Sequence, residues 1–242
     1  MTRIRNRKDR GTQPSGAALE TLALTSGALY EKIQQAIFEQ RLAPGTQLIE
    51  ERLVELSGLS RARIRPVLAR LAHENLVTLI PNRGAFIASP SESEAQELFF
   101  TRRLIEPAVA RLLSEQASGV QLGKLKRHVL KEGKARLRRD RAAIIRLSGE
   151  FHRLLAELAG NTVLIRILHE LTAQTCLVVA LYDSPNTAAC AHDDHGDIIR
   201  AIEAGDGDLA ANLMEHHLHV CEQALRLSES IRRPPDLKEL LF

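Results

Sequence analysis

The stretch LIEERLVELSGLSRARIRPVLARLAHENLVTLIPNRGAFI, residues 48–87, decides the fold. It opens with a short helical pattern over 49–57, closed by Gly58, a residue suited to the left-handed turn that ends a helix. Ser60 then stands where a helix N-cap belongs, ahead of a second helical pattern over 61–75 with Val67, Leu68 and Leu71 on its inner face. Two short apolar runs follow, 77–80 and 85–88, on either side of Asn82-Arg83-Gly84, a composition that makes a tight connection between strands. Helix, turn, helix and hairpin in that order predict a winged helix-turn-helix.

Three arginines, Arg61, Arg63 and Arg65, fall in the first two turns of the second helix. In a helix-turn-helix protein these positions carry the side chains that reach base edges and phosphates. A guanidinium suits bidentate pairing with guanine, worth about 1–3 kcal/mol of discrimination per good contact. At the wing tip, Arg83 and Gly84 are placed to enter the adjacent minor groove, where glycine permits close backbone approach. Taken singly, each arginine reads as a surface charge. Clustered in this pattern, they point to a double-stranded DNA partner read in a sequence-specific way.

Upstream of this stretch, Thr25 or Ser26 caps a helix running to about residue 40, and Pro44-Gly45 turns the chain. Residues 1–22 hold Arg3, Arg5, Arg7, Lys8 and Arg10 with little apolar periodicity, the composition of a disordered basic arm. Such an arm is either a solvated tail or a source of added phosphate contacts. Downstream, Ser89-Pro90 breaks the pattern, so the DNA-binding unit spans 23–90. From residue 91 everything reads as helix, with segments near 92–117, 120–138, 141–159, 162–182, 186–204 and 206–230 separated by glycine, asparagine, aspartate and proline signals. The expectation is a mainly α protein: a winged head, an all-α bundle of about six helices over 91–231, and a tail over 232–242. The basic run from Lys124 to Arg141 reads as the solvated face of one of these helices.

At 242 residues the chain is long enough for two domains, each with its own core. Its net charge of +3 is uneven: residues 1–90 hold 13 Lys and Arg against 8 Asp and Glu, and residues 91–242 hold 20 against 22. A basic first third on a slightly acidic remainder fits a nucleic-acid module joined to a different one. No run is read as reaching the roughly 18–20 apolar residues that a membrane span requires. Cys176, Cys190 and Cys221 lack disulfide or CxxC spacing, which fits a reducing cytoplasm.

The head resembles the GntR family of bacterial transcription regulators. The resemblance rests on Ile49-Glu50-Glu51, Leu53, Gly58, Ser60-Arg61, Ile64-Arg65, Leu68, Leu71, Leu76-Val77 and the wing NRGAF. The head departs from the family pattern at four residues. Arg63 stands where proline is common, Pro66-Val67 replaces a Glu-Ala pair, and Asn75 replaces a glycine. Pro66 removes one intrahelical hydrogen bond, with the prospect of a bend, whereas Asn75 tolerates a left-handed backbone. The helical half is similar to the FCD domain of the FadR-like branch through TRRLIEP, EFHRLLAELAGN, HGDIIRAIEAGD and LMEHHL. This resemblance implies a homodimer on a pseudo-palindromic operator, usually a repressor, that responds to a small organic acid. It also implies a buried divalent metal of the Zn, Ni or Mn class. The family's metal site includes an Asp four residues before its first histidine, and here that position is Ser148.

Helical phase singles out three histidines. His152 lies in line with Ile145, Ser148, Leu155 and Ala159, His195 with Ile198 and Ile202, and His217 with Ala210, Leu213 and Val220. Three inward imidazoles on separate helices suit a divalent transition metal, or bind the effector directly without one. His192, His216 and His219 fall off those lines and read as exposed. Arg102 belongs to an otherwise apolar stripe of Leu98, Ile105, Val109 and Leu112. Buried, it needs a partner: an effector carboxylate, as the resemblance implies, or Glu106 one turn on. Arg103 is the alternative if the phase is off by one. Two rival functions stand beside a ligand-responsive regulator, a metal-dependent hydrolase using the three histidines and an architectural DNA-binding protein without an effector.

Overall fold

The computed structural model of the chain describes residues 24–38, 41–182 and 194–225. The expected arm and tail, and Cys190 and His192, lie outside the described residues. The head comprises α1 (Ser26–Phe38), β1 (Gln47–Leu48), α2 (Glu50–Ser57), α3 (Arg61–His73), β2 (Val77–Ile80) and β3 (Gly84–Ile87). Thr25 Oγ1 caps α1 by accepting from the Ala28 N–H at 3.1 Å. Gly58, with φ of 69°, closes α2 in the left-handed region where a side chain would be strained. Ser60 occupies the N-cap of α3 with extended backbone, but its side chain makes no capping hydrogen bond. That corrects the expectation of a full serine cap.

Helix α3 stays continuous through Pro66 because the ring sits on the exposed face. The carbonyl left without its helical donor is that of Ala62, also exposed and within reach of water. Behind it Ile64, Val67, Leu68 and Leu71 are buried. The helix ends two residues short of the expected limit, and Asn75 turns the chain with φ of 54°, as its tolerance of left-handed backbone allows. The sheet is antiparallel in the order β1-β3-β2, with Phe86 of β3 facing Gln47 on one side and Thr78 on the other. Strand β1 went unread because two residues are too few to show alternation.

The helical half is α4 (Glu92–Gln116), α5 (Gly119–Leu137), α6 (Arg141–Ala159), α7 (Thr162–Tyr182), α8 (Asp194–Glu203) and α9 (Gly207–Gln223), six helices among the described residues. Capping boxes start two of them: Ser91 with Glu94 at α4, and Ser118 with Gln121 at α5. Helix α4 packs along α9 and also meets α6, α7 and α8, which makes it the spine of the bundle. Helix α7 is long and apolar enough, by length and composition, to cross a bilayer, contrary to the sequence expectation. Its apolar residues instead meet α4, α6 and α1, as those of a core helix do. Two apolar cores result among the described residues. One belongs to the bundle alone, around Phe151, Leu168, Ile198 and Leu218. The other runs from Ile37, Ile64 and Leu71 of the head into Phe99, Ala173, Leu177 and Cys221.

Candidate DNA face and sensor site

On the head, Arg61, Arg63 and Arg65 are exposed on α3, and Arg83 and Gly84 are exposed at the wing tip. Arg61 pairs with Glu51 at 2.9 Å and Arg65 with Glu50 at 3.1 Å, both pairs reaching from α3 to α2. Such pairs are worth about 0–1 kcal/mol and exchange readily for phosphates. A groove of about 760 Å³ runs between the start of α2, the middle of α3 and the wing, with Glu50, Arg65, Asn82 and Arg83 on its walls. Gln47 Nε2 donates to the Arg83 carbonyl at 2.7 Å and so braces the tip against β1. All five residues expected to meet DNA are exposed, and three of them, Arg65, Arg83 and Gly84, line that one groove.

In the bundle, α6, α8 and α9 bring His152, His195 and His217 together. One ring nitrogen from each lies within 4.8 Å of the other two, and all three side chains are buried. Each Nδ1 faces a carboxylate: His152 meets Glu106 at 2.5 Å, His195 meets Glu132 at 2.9 Å and His217 meets Asp194 at 3.2 Å. An ionised carboxylate only accepts, so each Nδ1 carries the proton and each Nε2 keeps a bare lone pair. Nε2 of His195 and Nε2 of His217 are 3.1 Å apart. Two lone pairs at that separation repel unless a proton or a cation lies between them. The donor set therefore fits a transition metal.

Burial pushes His152 and His217 down to about 4, because Glu106 and Asp194 do not fully offset the loss of water. Burial lowers His195 as well, against the pull of Glu132. Neutral imidazoles are the form that ligates. Burial alone would raise the carboxyls, yet the Arg102 guanidinium and His152 hold Glu106 well below the usual range. Hydrogen bonds from His128 and His195 bring Glu132 to about 2. Phe151 stacks on the His195 ring with centroids 3.8 Å apart and fixes its plane.

Arg102, and not Arg103, points inward. Its Nε donates to Glu106 Oε1 at 2.5 Å, the one-turn salt bridge weighed as its alternative role. Its Nη2 is buried with no hydrogen-bond partner among the described residues. Arg103 is only part-buried and pairs with Glu222 on α9. Arg102, Ser148, His152, His217, Thr172 and Thr175 border a cavity of about 20 Å³, room for a single water or ion. His216 and His219 are exposed, as expected.

Sequence reasoning missed Glu106 as a shared partner and missed His128 and Glu132 altogether. The last two sit inside the basic run read as a solvated face. That reading holds for Lys124, Lys126, Arg127 and Lys131, but Leu125, His128, Glu132 and Ala135 form a buried stripe on the same helix. Their spacing of three and four residues was the available signal.

Exposed arginines on a winged helix, joined to a helical bundle that encloses convergent imidazoles, define the class as a DNA-binding regulator. Residues 25–87 match the family model for bacterial regulatory proteins of the gntR family, and residues 97–220 match that for the FCD domain. The chain belongs to the GntR family, in its FCD-containing, FadR-like branch, and is a transcriptional regulator rather than an enzyme. The hydrolase reading is thereby set aside. The chain is similar to the HTH-type transcriptional repressor RspR of Escherichia coli K12, 26% identical over 206 residues, 85% of this chain and 88% of that protein. It is 29% identical over 219 residues to the HTH-type transcriptional repressor NanR of Enterobacter sp. strain 638, 80% of this chain and 82% of that one. Among solved structures, a GntR transcriptional regulator from Rhodococcus sp. RHA1 superposes with a TM-score of 0.71 at 20% identity, covering 86% of this chain and 99% of its own. Escherichia coli McbR/YncC gives 0.68 at 16% identity, covering 84% and 99%. Both share the fold.

Proposed function

We propose that this regulator is a homodimeric repressor whose grip on a pseudo-palindromic operator is set by a small carboxylic acid and a divalent transition metal in the bundle. The domains divide at Ser89-Pro90, with the head over 23–90 and the sensor over 91–231. In the head, Arg61, Arg63 and Arg65 read the major groove while Arg83 and Gly84 contact the minor groove. Two heads related by a dimer axis match a two-fold operator in the cytoplasm. Phe100 and Leu104, one turn apart on α4 and 58% and 65% exposed, support a partner surface on the bundle.

In the sensor, Nε2 of His152, His195 and His217 would hold the metal, which when bound supplies a Lewis-acidic anchor for an acid's oxygen. The single observation that carries this reading is the convergence of three Nε2 atoms whose Nδ1 protons are all committed to carboxylates. Arg102 supplies the second contact, because its Nη2 would otherwise remain a buried donor without an acceptor, a costly state. This orphaned donor also favours an effector over the purely architectural alternative.

Transmission follows from packing. Helix α7 lines the cavity with Thr172, Thr175, Cys176 and Val179, and the same helix packs against α1 of the head. Two residues before Thr172 on the same helix, Glu170 meets His73 at the end of α3 at 3.6 Å. A cavity of about 20 Å³ is too small for an organic acid, so binding must part α7 from α6 or α9. The acid then shifts the balance between head arrangements by its differential affinity for them. The test is elemental analysis of the purified full chain, a thermal-shift screen of small carboxylic acids, and operator binding with any acid that raises Tm. A ligand of the native state must raise Tm by mass action. A chain that neither retains a transition metal nor gains stability with any acid would refute the proposal.

A further inference from the structure

The basic run that begins at Lys124 forms one wall of a groove for which neither DNA reading nor the imidazole cluster has a use. The groove, of about 550 Å³, runs between α5 and α6 and reaches His169 of α7. Lys124, Arg127 and Lys131 of α5 and Arg153 of α6 line it, and none of these cations is ion-paired among the described residues. Lys126 on the same helix differs, because it pairs with Glu203 of α8 at 2.6 Å. Glu150 and Glu157 share the lining, and Glu150 is already held by Arg146 at 2.7 Å. The walls therefore keep an excess of positive charge.

Surface cations alone attract any anion weakly, but here a buried donor stands among them. His128 lines the same groove and is only 7% exposed. Its Nε2 faces the Leu147 carbonyl at 2.8 Å, a pure acceptor, so Nε2 carries a proton. Its Nδ1 has no hydrogen-bond partner among the described residues. Burial alone would lower this histidine, but hydrogen bonds to Glu132 and to the Leu147 carbonyl outweigh it and raise it above its ordinary value. Once protonated, Nδ1 is a donor that needs an acceptor.

We propose that this groove is a second ligand site, taking the phosphate of a small phosphorylated metabolite between Lys124, Arg127, Lys131 and Arg153, with His128 Nδ1 donating to a phosphate oxygen. A phosphoryl group carries a charge of about −1.5 to −2 and three strong acceptor oxygens, which suits several cations and one buried donor better than a single carboxylate does. The volume falls within the range of about 300–1,000 Å³ usual for small-ligand pockets. A DNA duplex is too broad to bring a backbone phosphate to a side chain buried this deeply. His128 Nε2 is also 3.3 Å from Glu132, whose other oxygen meets His195 Nδ1 at 2.9 Å, so the groove and the imidazole cluster share one carboxylate. Phosphate binding in the groove stands with or without a metal on the imidazoles.

Calorimetric titration of the full chain with inorganic pyrophosphate at physiological salt tests this. The parent should bind it saturably. R127A/K131A should weaken binding at least about tenfold, through the loss of two charge-assisted contacts. K126A/K134A removes the same charge from the same helix outside the groove and should change affinity by less than about twofold. H128Q keeps a donor for the Leu147 carbonyl but loses the one for phosphate, and should weaken binding several-fold. Acetate should not compete. No saturable binding in the parent, or equal losses in the two double variants, would overturn the site, and competition by acetate would overturn the preference for phosphate. If R127A/K131A weakened binding of a random-sequence duplex as much as it weakened pyrophosphate, the groove would belong to DNA and the small-ligand assignment would fall.

Discussion

The head and the bundle both depend on charged side chains, but they hold them in opposite ways. On the head, Arg61 and Arg65 stand in water against Glu51 and Glu50, pairs that cost little to break. In the bundle, Arg102, Glu106 and His152 form a chain from which water is excluded, with side-chain exposures of 2–3%. A DNA face must trade its partners for phosphates at each encounter, so weak exposed pairs suit it. A ligand site of the kind proposed for the bundle must keep its donors aimed before the ligand arrives, so strong buried pairs suit it. The same residue types serve exchange in one place and fixed geometry in the other, and the surroundings decide which.

The largest expected effect tests the fixed side of that contrast. Glu106→Ala leaves the Arg102 guanidinium buried without its carboxylate and should cost about 3–5 kcal/mol in urea unfolding. Glu50→Ala on the head should change stability by no more than about 0.5 kcal/mol. Equal losses in the two variants would erase the distinction. Next in size, Arg65→Ala should weaken operator binding at least tenfold by fluorescence anisotropy, given about 1–3 kcal/mol per base contact, with an unchanged Tm. Operator affinity equal to the parent's would take Arg65 off the reading face.

A smaller effect concerns pH. His152 and His217 titrate near 4 in the folded, metal-free chain and near their ordinary 6.5 when unfolded. Below 6.5 the unfolded chain therefore binds more protons, so stability is complete above that value and lost as pH falls toward 4. Glu106 and Glu132, also depressed, act in the same direction at the lower end. Tm of the metal-free chain should drop by several degrees between pH 6.5 and pH 4.5. A flat profile would mean that these imidazoles are not held neutral by burial. The smallest effect returns to the head: Glu50→Gln frees Arg65 and removes a negative charge near the phosphates. DNA binding should tighten a few-fold at low salt and return to the parent's value at high salt.

The two regions also differed in how readily the sequence revealed them. The head's pattern is contiguous, so Gly58, the arginine cluster and the Asn82-Arg83-Gly84 turn declared themselves within forty residues. What escaped was local: a two-residue strand, and a Ser60 that holds the cap position without making the bond. The sensor site draws on α4, α5, α6, α8 and α9, and its elements are linked only by helical phase. Phase was enough for His152, His195, His217 and Arg102, each a polar residue in an apolar line. It failed for Glu132 and His128, whose buried stripe is interrupted in sequence by lysines and arginines. A carboxylate that serves an imidazole on another helix leaves no trace in its own neighbourhood.

The apolar core that passes unbroken from Ile37 and Leu71 of the head to Phe99 and Leu177 of the bundle has a consequence for how the protein comes apart. Heat should take both halves in a single calorimetric transition, because neither can melt without baring the other's interior. A fragment cut after the wing would expose that seam and aggregate, so the DNA-binding part is not a detachable module. By the same token, a molecule lodged among the imidazoles should slow proteolysis in the wing, a part of the chain it never touches.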